Sequence, residues 1–310
     1  MNVRTAALTV LFVTACGSAG GTGADGAAGA AGIGGAGLAG AGGDAGSAGA
    51  GAGGAGGAAG GVGLGGAGGG AGQPPECTSG QATAEVFGHS SGDLYRLDPT
   101  TLSVTHVGAF DCLSGDSMID IAIDKTGAMY GTAFGGFLTI DKATAKCKYV
   151  QMGSYPNSLS IVPAGTVSAT EETLVGYLGA DYVKIDKKTG AVAKIGSLGG
   201  GYTSSGDVVS VIGGGTYLTV KGASCNDCVV RVDPTTGALA ELLGPTGYTD
   251  VFGIAFWAGV VYGFTSAGEV FAYDVATKSA KPVALPGAPK NLSFYGAGST
   301  TCAPALPTPT

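Results

Sequence analysis

The sequence predicts an all-β fold: a single β-propeller of about five four-stranded blades, closed by pairing of its N- and C-terminal strands. Three observations predict it. One hairpin design occurs five times, as LYRLDPTTLSV (Leu94–Val104), FLTIDKATAKC (Phe137–Cys147), YVKIDKKTGAV (Tyr182–Val192), VVRVDPTTGAL (Val229–Leu239) and VFAYDVATKSA (Val270–Ala280). The turn aspartates Asp98, Asp141, Asp186, Asp233 and Asp274 are spaced by 43, 45, 47 and 41 residues, the period of a blade made of four short strands. The copies are also incomplete at the two ends in complementary ways, so that the tail supplies the strand the front lacks.

Each hairpin is an alternating strand ending in Asp, a four-residue turn and a second strand. An Asp side chain can accept backbone N–H groups two residues on, Pro presets the turn, and Gly suits a left-handed position at its end. Before each hairpin lies a strand with Tyr or Phe beside Gly or Thr: AEVFG, AMYGTAF, LVGYL, TYLTV and VVYGF. Ahead of those comes a short apolar strand carrying one small residue: IDIAI (Ala122), SLSIV (Ser160), VVSVI (Ser210), FGIAF (Ala255) and NLSFY (Ser293). Small side chains suit innermost strands that converge on a narrow channel. The hairpin at Leu94 has no inner strand before it, and Asn291–Tyr295 has no hairpin after it. Joined, they complete one blade and leave no free edge.

The 310 residues divide by composition into residues 1–16, an export signal; 17–74, a tether; 75–302, the propeller; and 303–310, a Pro-rich tail. Thr5–Val13 is a short apolar run after one positive charge, too short to span a membrane as a mature helix. Of the 62 glycines, 29 fall between Gly17 and Gly72 in a stretch of little but Gly and Ala, with too few side chains to offset the entropy of ordering. A Gly-rich coil of that length spans roughly 40 Å. A net charge of −7 argues against a nucleic-acid partner, which needs a basic face.

The segment Val13-Thr14-Ala15-Cys16 resembles the bacterial lipobox. The resemblance implies acylation of Cys16, cleavage before it, and a lipid-anchored protein of the cell envelope. Gly17 rather than Asp after the Cys points to the outer membrane. The hairpins, over roughly Thr83–Ser299, resemble the repeats of bacterial surface propellers of the YVTN and PQQ-like class. The layout of lipobox, Gly/Ala tether and Cys-clipped propeller resembles lipoproteins of Gram-negative bacteria, and implies no activity. With Cys16 acylated, six cysteines remain, an even number that reads as disulfides in an exported chain. Cys77 and Cys302 flank the joined ends, Cys225 and Cys228 sit in CNDC, and Cys112 pairs with Cys147 by elimination. Zinc at CNDC wants further ligands that the sequence does not place nearby.

Little in the chain points to catalysis. His89 and His106 are its only histidines, and neither adjoins a nucleophile or acid motif. Asp120, Asn157, Asp207, Asp250 and Asn291 each begin or precede an inner strand. Such residues commonly cap turns. Gathered at one channel mouth, they can instead hold Ca²⁺ or bind sugar hydroxyls, and no other cofactor is expected. Tyr155, Tyr202, Tyr248 and Trp257 lie on the same connections, as wedge fillers between blades or as a binding face. The function expected is a monomeric, membrane-anchored binding module for a glycan, peptide or protein, non-enzymatic. The alternatives are a glycoside hydrolase using Asp120, Asp207 and Asp250, and a structural envelope protein.

Overall fold

The computed structural model describes Cys77, residues 84–222 and residues 224–306. The expected acylation site Cys16 and the tether at 17–74 lie outside the described residues. The chain divides into two units, Met1–Leu64 and Gly65–Thr310, and every described residue belongs to the second.

The described residues form five four-stranded antiparallel sheets, the blades of a propeller. Blade I joins β1 (Val86–His89), β2 (Asp93–Leu97) and β3 (Val104–Ala109) to the final strand, β20 (Gly296–Ser299), in the order β20-β1-β2-β3. Blade II is β4 (Met118–Ile123), β5 (Met129–Ala133), β6 (Gly136–Ile140) and β7 (Cys147–Met152). Blade III is β8 (Ser158–Val162), β9 (Thr173–Leu178), β10 (Asp181–Ile185) and β11 (Val192–Ser197). Blade IV is β12 (Thr203–Val211), β13 (Gly215–Gly222), β14 (Cys225–Val232) and β15 (Leu239–Pro245). Blade V is β16 (Val251–Trp257), β17 (Val260–Thr265), β18 (Val270–Asp274) and β19 (Ser279–Val283).

The repeated turn works through its aspartate. Oδ1 of Asp98 accepts the N–H groups of Thr100 and Thr101 at 2.8 and 3.2 Å, and Asp186, Asp233 and Asp274 take the equivalent pairs. Asp141 takes the N–H of Ala143 at 2.9 Å. Four residues after each Asp the backbone is left-handed, at Leu102, Ala145, Gly190, Gly237 and Lys278. Between the blades lie five apolar wedges. Phe87 and Leu94 meet Met118 and Ile121 between blades I and II, Phe137 meets Leu159 and Ile185 between II and III, and Tyr177 and Tyr182 meet Leu218 and Val230 between III and IV. Tyr217 and Val229 meet Phe256 and Phe271 between IV and V, and Phe264 meets Tyr95 and Phe294 between V and I. Each large side chain so buried contributes about 1.5–3 kcal/mol.

The tail closes the ring, with a correction of register. The expected inner strand Asn291–Tyr295 is a loop, and the pairing strand is β20, aligned Val86↔Ser299 to His89↔Gly296. Leu292 and Phe294 belong to the wedge between blades V and I, where Phe294 meets Phe264 edge-on at 5.1 Å. The strand Gly-Ala-Gly-Ser is nearly bare because its site is crowded. A Cβ at Gly296 would collide with Nε2 of His89 and sit 2.6 Å from Oδ1 of Asp120.

Beyond β20 the chain closes one end of the channel. Thr300 N–H donates to the Glu85 carbonyl of blade I at 3.1 Å, and the Thr301 carbonyl accepts Ile212 N–H of blade IV at 2.9 Å. The Pro304 carbonyl accepts Ala258 N–H of blade V at 2.7 Å. Thr301 Oγ1 donates to buried Glu172 of blade III, whose other oxygen accepts Lys125 N–H of blade II at 3.0 Å. Ala303 is buried and Pro304 is bonded, so the body runs past residue 302, and only Ala305 and Leu306 of the described tail project beyond this cap. Disulfides join Cys77 to Cys302, Cys112 to Cys147 and Cys225 to Cys228. The first fastens Cys77 to the cap.

Candidate functional site at the open end of the ring

One layer of the inner strands, just inside the uncapped end, holds the chemistry. Strand pairing puts Gly296 opposite His89, Asp120 opposite Thr132, Ser158 opposite Tyr177 and Gly253 opposite Phe264. Asp207 occupies the same place in blade IV, its N–H donating to Thr219 Oγ1 at 3.0 Å. The innermost position therefore reads Gly, Asp, Ser, Asp, Gly around the ring. Three small residues leave room for two carboxyl groups.

Asp120 and Asp207 are fully buried. Asp120 accepts the N–H of Ile121 at 2.8 Å and, across the blade junction, that of Leu159 at 2.6 Å. Asp207 repeats the arrangement with Val208 at 2.5 Å and Ile254 at 2.7 Å. Each carboxyl thus holds the inner strand of the next blade. The two carboxyls are also neighbours, and their interaction at this depth favours a proton on one of the pair. Burial, and for Asp120 the neighbouring charge of Asp207, raises both above the usual carboxylate range. The pair keeps a proton at neutral pH.

His89 shares this layer. Its Nδ1 lies 2.8 Å from the Ser90 carbonyl and donates to it, which leaves Nε2 as a buried acceptor with no partner in the described structure. Nε2 faces the same point as Asp120 Oδ1, the missing side chain of Gly296. Burial lowers the His89 pKa to about 4, so the imidazole is neutral at pH 7. This neighbourhood is not legible in sequence, because Asp120 and Gly296 are distant from His89 along the chain. His106 instead pairs with Asp93 on the surface at 2.9 Å.

The five Asx residues are not gathered. Asp120 and Asp207 meet in the channel, while Asn157 is half-buried, its Nδ2 donating to Ser204 Oγ and the Gly206 carbonyl at 3.2 Å each. Asp250 and Asn291 are exposed and left-handed, in loops before β16 and β20. Among the described residues no group of three or more His, Cys, Asp or Glu side chains is arranged for a metal ion. The donor set does not fit Ca²⁺, which takes 6–8 oxygen ligands, because the two buried carboxyls are spent on backbone amides. Two carboxyls sealed from solvent and bound to backbone amides also do not fit a glycosidase pair, which must flank the sugar.

Above this layer the ring opens into a cup of about 690 Å³ to which all five blades contribute. Its floor and near wall are Asn157 and Thr203–Gly206. Its apolar surface comes from Phe134, Phe252 and Tyr295, with Phe134 73% exposed and the rings of Phe252 and Tyr295 6.1 Å apart. Of the four aromatics singled out from the sequence, only Tyr155 lines the cup. Tyr248 stacks on Phe271 at 4.4 Å, and Tyr202 and Trp257 pack against the wedges. The local sign of the cup was Phe134 itself, a large apolar residue at a hairpin tip before two glycines.

No protein-family model matches the chain, and no curated protein matches it. Solved structures similar in fold include a chain of the nidogen/laminin complex, 11% identical with a TM-score of 0.48 over 72% of this chain and 100% of that one. An oligogalacturonate lyase in complex with manganese is 11% identical with a TM-score of 0.37, over 66% of this chain and 62% of the lyase. A structural-genomics protein of unknown function from Bacteroides thetaiotaomicron is 12% identical with a TM-score of 0.40, over 59% and 53%. Likenesses at these scores carry nothing about ligand or activity.

Proposed function

We propose that this chain is a lipid-anchored propeller of the bacterial outer membrane that acts as a binding module, taking a segment of a glycan, peptide or protein partner into the cup. The observation that carries this reading is the asymmetry of the ring. One end is closed by residues 300–304, while the other opens into a cup of about 690 Å³, within the range of sites that enclose small ligands. The buried carboxyls and His89 beneath it set the blade positions and do not reach the solvent.

The expected anchor is a lipid on Cys16, and the described chain is fastened at Cys77 to Cys302 in the cap. Several acyl chains on one residue, at about 0.8 kcal/mol per buried methylene, hold such a body at a bilayer.

The test uses the chain from Gly17, which retains all five blades and three disulfides. It is applied to a glycan array and to an envelope-extract pull-down, beside a Phe252→Ala/Tyr295→Ala variant. The reading predicts a partner that the wild type retains and the variant loses. Blank results in both assays, or equal retention by the variant, contradict it.

A further inference from the structure

We infer that the cup selects an amphipathic anion: a ligand with an aromatic or apolar body and one carboxylate or sulfonate-like head. This deepens the binding reading above and rests on it. The protein is acidic overall, with a net charge of −7, yet among the described residues the only charged side chain lining the cup is a cation, Lys221. Lys221 is exposed and makes no ion pair among the described residues.

A second polar side chain stands on the same blade. Lys221 on β13 is paired with Thr203 of β12, and two residues on, in the bulge between Ser204 and Val208, lies Ser205. Ser205 lines the cup, and its hydroxyl oxygen, buried beneath the surface, has no hydrogen-bond partner in the described structure. The exposed ammonium of Lys221 is the donor an oxyanion meets, where charge-assisted bonds are about twice as strong as neutral ones, and the unpartnered Ser205 hydroxyl lies beneath the surface on the adjacent strand. The amide of Asn157 does not compete as a donor, since both its N–H bonds turn to Ser204 and Gly206.

The floor does not repel an anion as two ionised aspartates would. Asp120 and Asp207 are sealed from solvent, held by four backbone amides, and keep a proton on one of the pair. The remaining surface is apolar. Phe252 and Tyr295 form a tilted pair from blades V and I, with Phe134 on the rim of blade II. A purely polar ligand leaves this surface wet, and a purely apolar one leaves Lys221 without a partner. A body with one acidic head satisfies both.

Two dyes that share one aromatic body test this. 8-Anilinonaphthalene-1-sulfonate carries the head, and N-phenyl-1-naphthylamine is the same body without it. Each is titrated by fluorescence into the folded chain from Gly17. The sulfonate is expected to bind with one-to-one stoichiometry and more tightly than the amine. Lys221→Gln should weaken the sulfonate roughly tenfold, about one charge-assisted bond, and leave the amine unchanged, while Lys221→Arg should retain sulfonate binding. Phe252→Ala should weaken both. Equal affinity of the two dyes, or a Lys221→Gln variant that binds the sulfonate as wild type, overturns the selectivity and leaves the binding reading standing. Failure of both dyes to bind, or indifference of both to Phe252→Ala, overturns the binding reading with it.

Discussion

Leu102, Ala145 and Lys278 hold the left-handed position that Gly190 and Gly237 fill in the other two copies of the turn, with φ of 59°, 60° and 55°. A residue with a Cβ loses roughly 1–2 kcal/mol there, against roughly 0.5–1 kcal/mol of added chain entropy for Gly. Leu102→Gly should therefore raise stability, by up to about 1 kcal/mol in urea melts, and an unchanged or lower midpoint would contradict this account of the turn. The channel residues give a pH dependence. The folded pKa of each buried Asp lies above its unfolded value, so their contribution is complete in acid and is lost as pH rises. His89 has the opposite sign. Its pKa falls to about 4 from 6.5, so stability drops as the unfolded chain gains that proton on going from pH 6.5 to 4. The two slopes oppose each other in that window, and above pH 6.5 the carboxyl pair acts alone. The melting temperature should fall from pH 7 to pH 9, and less steeply in Asp207→Asn; a flat wild-type profile would contradict the retained proton.

The hairpins were legible because everything they need is local: an Asp, two amides within three residues and a left-handed fourth position. The inner strands were less so. β20 has neither apolar alternation nor β-branched residues, and its place is dictated by what it must slip past, His89 on one neighbour and Asp120 on the other. NLSFY has the better strand pattern, although its Leu and Phe serve the wedge. Asp250 and Asn291 misled for a related reason, since turn-forming and channel-facing Asx residues look alike in sequence. The pairing of Asp120 with Asp207 depends on ring closure, which no local pattern encodes. The disulfides carry a graded prediction through the loops they close, with sequence separations of 225, 35 and 3 residues. On chain entropy, replacing the pairs by Ser should cost roughly 5, 4 and 2 kcal/mol in that order. Denaturant melts of the three double variants check the ranking, and a larger loss at Cys225/Cys228 than at Cys77/Cys302 would reverse it.

Closure joins these features into one body. β20 completes blade I from the far end of the chain, and the five residues after it tie down every blade through Glu85, Glu172 with Lys125, Ile212 and Ala258. The same segment holds Cys77 through Cys302, so closing the ring, capping the channel and fastening Cys77 are one structural act. The cup is what that act leaves open. Nothing in a single blade suffices: an isolated four-stranded sheet here exposes two apolar faces that only neighbouring blades cover. Unfolding should accordingly be one cooperative transition. The most direct measurement is the thermal melt of a chain ending at Tyr295, followed by circular dichroism beside the full chain. Loss of β20 and the cap should open blade I and abolish the sharp transition; a truncated chain that melts as sharply and at the same temperature would contradict the closed ring.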